Sequence, residues 1–239
     1  MSRTLKQIEK DNYQDLTDEE INGFTQAVST LNQAVNNTWP NQYKEAFDMF
    51  LKHYGWHIRI WMSLDELIPF IQQGNDAVDR YLIKQLRWSA YWIRRKAVKR
   101  FPNRKKMITA AFSAHFRRDY YASIPLFLLL SDGIFREVSG VDMFSRHSKS
   151  KTAFIENLKN DKKVIPMVAY IIEAVTNGEI IGLKFSNEEY LKYPHVLNRN
   201  RILHGEDPDY ANRVNAFKAL SQFEFMIEHL YMALNGVNI

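Results

Sequence analysis

Leu82-Ile83-Lys84-Gln85-Leu86-Arg87-Trp88-Ser89-Ala90-Tyr91-Trp92-Ile93 decides the fold class. Leu82, Leu86, Ala90 and Ile93 recur at intervals of four, four and three, which places them on one face of a helix and is incompatible with a strand. The helix is expected from about Asp76 to Phe101, because Pro102 lacks the amide hydrogen that would continue it. Arg87, Arg94 and Arg95 fall mostly away from the apolar face. Trp88 and Trp92, four apart, are expected to flank that face in the core rather than to serve as stacking platforms.

Helix punctuation recurs on both sides of this stretch. Thr17-Asp18-Glu19-Glu20 is a capping box that opens a helix to about Asn36, before Trp39-Pro40. A helix near Gln42 to Tyr54 should stop at Gly55, and Ser63-Leu64-Asp65-Glu66 should cap a short one ending at Gly74. After Pro102 come a helix from about Asn103 to Arg117 and an Asp119-capped helix from about Tyr120 to Val138, with Pro125 restricting its first turns.

Asp142 to Ser150 reads as a polar, basic loop, followed by helices near Lys151 to Lys159 and Val164 to Asn177. Glu179 to Phe185 is the one place for a hairpin-like or extended excursion. A third capping box, Ser186-Asn187-Glu188-Glu189, starts a helix that reaches Tyr193-Pro194, and Asp209 is expected to cap a terminal helix from about Tyr210 to Leu234. The sum is an all-α chain. Its composition shifts near Pro102, which divides an N-terminal helical region of unknown role (1–101) from a second helical domain (102–239).

The absence of cysteine excludes a disulfide framework and any thiolate metal site. The first residues lack the apolar core of a signal peptide, and the longest apolar run, Ile124 to Leu130, is far shorter than the roughly 20 residues that span a bilayer. A soluble, cytoplasmic protein with no membrane partner is expected. The net charge of +5 is uneven: from Lys84 to Arg118 there are about a dozen lysines and arginines and no acidic residue. This stretch is either a surface for an anionic partner or an ordinary solvated helix face.

Asn198-Arg199-Asn200-Arg201-Ile202-Leu203-His204-Gly205 concentrates the groups suited to chemistry. Arginine offers a planar fork for phosphate, and histidine moves protons near neutral pH. On an ideal helix Arg199 and His204 are displaced by about 140°, whereas Asn200 and His204 share a face. Loosening of the helix before Gly205, or a second copy of the motif across a twofold axis, could bring the groups together.

The string closely resembles the motif of the HEPN superfamily: arginine, a polar residue, three or more residues, then histidine, often within Asn-Arg…Ile-Leu-His-Gly. The run from Asp209 to Leu220 is similar to the helix that follows that motif. The segment Asp119-Tyr120-Tyr121-Ala122-Ser123-Ile124-Pro125-Leu126 is similar to the kinked apolar helix that precedes it. The resemblance covers about the last 135 residues.

It implies an antiparallel helical bundle that dimerises into a composite active site and cleaves RNA without a metal or other cofactor. In that chemistry the RNA's own 2′-hydroxyl attacks the adjacent phosphate, leaving a cyclic 2′,3′-phosphate and a 5′-hydroxyl. Carried over by position, Arg199 would hold the scissile phosphate, His204 would transfer protons, and Asn200 would orient the histidine or the phosphate. Such proteins act as toxins or antiviral-defence effectors, with an antitoxin or regulatory protein as a further partner. The alternatives are a catalytically inactive module that binds RNA or protein, and a purely structural bundle.

Arg201, His195 and Asp132 are candidates for substrate contact. Asp132 interrupts a very apolar helix, so it either pairs with an arginine of the motif or sits on an exposed polar face. His53 and His57 straddle a helix end and suit a polar cap better than a ligand pair. His147 falls in the basic loop, and His115 and His229 are structural or exposed. The acidic residues are too scattered for a two-metal nuclease.

Overall fold

A computed structural model describes residues 39–59, 62, 64–144, 149–161, 164, 166–177, 181, 182, 188 and 192–235, with isolated positions 22 and 26. Among these every regular element is helical and none is a strand, so the chain is all-α. No described helix is long and apolar enough to cross a membrane.

The first element, α1 (Trp39–Met49), runs on as a π turn (Phe50–Tyr54) and ends at Gly55. After the short α2 (Ile68–Gln72), the long α3 (Asn75–Arg100) matches the expected helix to within a residue. Pro102 turns the chain into α4 (Lys105–Phe116), and α5 (Tyr120–Ser139) starts where the Asp119 carboxylate accepts from the Ala122 amide at 3.3 Å. Then come α6 (Lys149–Asn160), α7 (Pro166–Asn177) and the short α8 (Arg199–Leu203). The last helix, α9 (Arg213–Phe225), continues through a π segment (Met226–Leu230) into α10 (Tyr231–Asn235).

Several expected features lie outside the described residues: the Thr17 capping box and its helix except at 22 and 26, the Ser186 box except at 188, His147, and most of the excursion from 179 to 185. The terminal helix is capped by Asn212, whose side chain accepts from the Asn215 amide at 2.9 Å, and not by Asp209.

The core forms where α4, α5 and α9 meet. Phe112, Phe127 and Phe223, one from each helix, are fully buried, with ring centroids 5.1 to 5.8 Å apart. Every residue from Ala216 to Leu230 is buried, so this helix cannot be read as amphipathic. Its charged groups survive burial because each has a partner. Arg59 reaches Glu224 at 2.7 Å, while Lys96 and Arg100 of α3 reach Glu228 at 2.9 and 3.1 Å. Burial still pushes the Glu224 carboxyl above its ordinary value, with Arg59 opposing.

Residues 40–239 make one compact unit and residues 1–39 another. The division expected at Pro102 is not where the contacts divide the chain. Helix α3 packs on α4 and α9, and residues from both sides of Pro102 share one apolar cluster. Proline here bends the chain between two helices of the same unit.

Two expectations about side chains need correction. Trp88 and Trp92 are 77% and 57% exposed, not buried. At 100° per residue, the buried set Leu82, Leu86, Ala90, Ile93 and Ala97 centres on a direction about 160° from Trp88 and about 120° from Trp92. The tryptophans therefore stand on the outer face with Tyr91. His57 is not a polar cap: it is buried against Phe225, neither ring nitrogen has a partner, and burial lowers its pKa to about 3.

Candidate functional site

The short helix α8 positions the arginine–histidine segment, and its ends are specified locally. Asn198, itself buried, caps the start by accepting from the Arg201 amide at 3.0 Å. At the other end the Gly205 amide donates to the Ile202 carbonyl at 3.2 Å and the Glu206 amide to the Arg201 carbonyl at 2.7 Å. This paired closure needs a left-handed residue, and Gly205 supplies it with φ of 74°. The helix thus stops at Leu203, and His204 stands exposed at its C-cap.

Arg199 is fixed on three sides. Its Nη2 donates to Asp132 of α5 at 2.8 Å, its Nη1 lies 3.4 Å from the Asn200 amide oxygen, and its guanidinium stacks over the Phe144 ring at 4.7 Å. The two ion-paired side chains are 18% and 28% exposed, so the pair is partly screened by water. Asp132 takes the first of its two expected alternatives, a partner within the motif.

The turn at Ile181 and Gly182, within the excursion expected between 179 and 185, supports this arrangement, though nothing in the sequence pattern tied it to Arg199. The Arg199 amide donates to the Ile181 carbonyl at 2.7 Å, and Asn200 Nδ2 donates to the Gly182 carbonyl at 2.7 Å. A Cβ on Gly182 would sit 2.1 Å from the Phe144 ring, so only glycine lets that ring lie beneath the guanidinium. Phe144 and Gly182 are the contributors that spacing could not reveal, because both come from irregular segments.

The remaining candidates are arranged differently from the expectation. The Asn200 side chain engages Gly182 and Arg199, and makes no bond to His204; the Asn200 carbonyl accepts from the His204 amide at 2.9 Å. Asn200 therefore braces the arginine. Arg201 is half-buried, and its backbone closes both ends of α8. His195 faces Asn75, with the two side-chain nitrogens 2.6 Å apart, and lines a separate cavity of about 380 Å³ with His53 and Lys192.

The backbone at His195 is clamped by Lys218, whose buried ammonium donates to its carbonyl at 2.7 Å. Burial lowers the Lys218 pKa to about 8 against the pull of Asp79. This clamp fixes the approach to α8 from the core helix.

Of the basic residues between Lys84 and Arg118, Lys96, Arg100 and Arg104 are ion-paired with Glu228, Glu228 and Glu137. The others make no ion pair among the described residues. Beside them the exposed Tyr91 and Trp92 rings meet edge-on at 5.5 Å, and the Arg95 guanidinium lies 5.9 Å from the Trp92 centroid. Among the described residues no group of three His, Asp or Glu side chains is placed to hold a metal ion. No protein-family model, characterised protein or solved structure matches this chain.

Proposed function

We propose that the protein is a metal-independent endoribonuclease of the HEPN type, with Arg199 and His204 as its catalytic groups. The carrying observation is the pairing of a braced guanidinium with an exposed imidazole five residues away on one short, doubly capped helix. Such an arrangement suits attack by a ribose 2′-hydroxyl on the neighbouring phosphorus. That reaction needs positive charge at the phosphoryl oxygens, a group to accept the 2′-proton and a group to protonate the departing 5′-oxygen.

Arg199 supplies the charge, pre-oriented by Asp132, Asn200 and Phe144. His204 moves the protons, and a second copy of the chain brings the second imidazole. The P–O5′ bond breaks as the O2′–P bond forms, leaving a cyclic 2′,3′-phosphate and a 5′-hydroxyl. The unpaired basic side chains of α3 and α4, with the exposed Trp88, Tyr91 and Trp92, suit an RNA strand through phosphate attraction and base stacking. A role as a toxin or antiviral-defence effector, held in check by an antitoxin or regulatory protein, follows from the same family resemblance.

Replacing His204 with Ala should reduce cleavage in EDTA by 100-fold or more, within the range of about 10²–10⁴ for general acid–base groups. Helicity should not change, because the side chain is exposed and only its backbone closes the helix. Undiminished cleavage by that variant would remove the assignment.

One observation favours the second reading, an RNA-binding module without activity. Arg199 is already neutralised by Asp132 and only 18% exposed. On that reading RNA is retained, His204→Ala binds it as the wild type does, and no cut products form.

A further inference from the structure

A cluster of uncompensated charge lies where α3, the end of α4 and the start of α9 come together. Arg87 of α3, Arg118 after α4 and Arg213 at the start of α9 line one cavity of about 670 Å³, and all three are exposed. Their side chains make no ion pair or hydrogen bond among the described residues, and no acidic side chain lines the cavity. The neighbouring Asp119 turns its carboxylate to the Ala122 amide at the start of α5. Three guanidinia from three elements with no counter-charge repel one another, and negative charge between them relieves that repulsion.

The lining between the arginines is neutral and offers no slot for a flat ring. His115 and Phe217 are both buried and meet edge-on, with 78° between their planes and centroids 4.8 Å apart. Burial lowers the His115 pKa to about 4, so it adds no charge near pH 7. Ala90 is buried beside them, whereas Phe116 is 49% exposed and supplies open apolar surface. An aliphatic side chain entering beside Phe116 would cover that surface.

The backbone supplies an independent sign. Arg118 is the one non-glycine residue with positive φ among those described, at 63°. It occupies the left-handed position that closes α4, where its amide donates to the His115 carbonyl at 3.0 Å and the Asp119 amide to the Ala114 carbonyl at 2.9 Å. Glycine is favoured at such a position, and a residue with a Cβ is strained there. An arginine at this point gives its side chain a use that offsets the strain.

We propose that this cavity docks an acidic segment of a partner protein, its carboxylates on Arg87, Arg118 and Arg213 and an aliphatic side chain between them on Phe116. Guanidinium meets carboxylate through two parallel hydrogen bonds, and arginine is enriched at contacts between proteins. A small inorganic anion would fill a minor part of the cavity and leave Phe116 uncovered. A nucleic-acid strand would bring negative charge but no aliphatic group, and its bases would find no open ring pair to enter. Tyr120, which also lines the cavity, is about 18 Å along α5 from Asp132, at 1.5 Å of rise per residue. The proposal does not rest on cleavage at Arg199 and His204.

Fluorescence anisotropy of the full chain with a labelled Glu-Asp-Leu-Asp-Glu peptide tests it. The controls are its neutral counterpart, Gln-Asn-Leu-Asn-Gln, and the acidic peptide with serine in place of leucine. The acidic leucine peptide should bind saturably, about tenfold or more tightly than the neutral one and about threefold or more tightly than the serine one. Arg118→Gly should weaken that binding by about tenfold while raising Tm, since glycine relieves the left-handed strain. Arg213→Gln should weaken it comparably. Lys105→Gln, which removes the same charge from the exposed far end of α4, should leave it unchanged. No saturable binding, equal binding of the neutral peptide, or an equal loss in Lys105→Gln and Arg213→Gln overturns the proposal. A 2′-O-methylated oligouridine whose binding depends on Arg213 while the peptide's does not would give the cavity to nucleic acid and overturn it as well.

Discussion

Arg199 owes its position to a residue with no side chain. Gly182 lets Phe144 slide beneath the guanidinium, and its carbonyl holds Asn200, which in turn lies beside Arg199. Gly182→Ala would drive a methyl into the ring, an overpacking that costs about 1–3 kcal/mol. The expected result is a urea midpoint lowered to match, with a larger fractional loss of the proposed RNA cleavage, because the displaced ring no longer orients the arginine. A stability loss with full activity would mean that Phe144 does not matter to the site.

Helix α5 shows how an element absorbs a proline. Pro125 has no amide hydrogen for the Tyr121 carbonyl four residues back. That carbonyl instead accepts from the Tyr210 hydroxyl at 2.9 Å, while the Tyr121 hydroxyl donates to the Pro208 carbonyl at 3.3 Å. The loop after the motif is thus pinned to α5 by the group the proline leaves unsatisfied. Tyr210→Phe should cost about 0.5–1.5 kcal/mol, the net worth of an ordinary hydrogen bond at an exposed site, measured by thermal or urea unfolding. No change would show that water replaces the hydroxyl without loss.

Helix existence was legible along most of α1 to α7, because apolar periodicity and caps such as Asp119 act over a few residues. Face assignment was less so. Trp88 and Trp92 carry the largest apolar surfaces of α3, yet the Leu82–Ala97 stripe decides which side faces the core, and they fall opposite it. The Arg199–Asp132 pair was anticipated as one of two alternatives. Its bracing by Phe144 and Gly182 depends on tertiary placement of irregular segments, which no periodicity encodes.

At the scale of the whole molecule, three buried histidines set the acid limit. Burial lowers His57 and His229 to about 3 and His115 to about 4, from 6.5. The unfolded chain therefore takes up protons that the folded chain refuses. Their contribution is intact above about pH 6.5 and is lost as pH falls toward their folded values, by about 1.4 kcal/mol per pH unit for each histidine once below 6.5. Three such groups give a slope of about 4 kcal/mol per pH unit, so about 10 kcal/mol is lost by pH 4, enough to unfold a domain in the lower part of the usual range of about 5–15 kcal/mol. His57→Phe removes one proton site whose nitrogens have no partner, and by cutting the slope by a third should move an acid midpoint near pH 4 down by about 1 pH unit. A midpoint that stays or rises would contradict the burial of a neutral imidazole at this position.

The reading of the whole chain as a ribonuclease is tested most directly by the ends of the RNA it produces. An RNA and its fully 2′-O-methylated counterpart are incubated in EDTA with the wild type and with His204→Ala, and the products are analysed by mass. The expected result is cleavage of the unmodified RNA alone, by the wild type alone, with cyclic 2′,3′-phosphate and 5′-hydroxyl ends. Cutting of the methylated strand, 5′-phosphate ends, or equal cutting by the His204→Ala protein would contradict it.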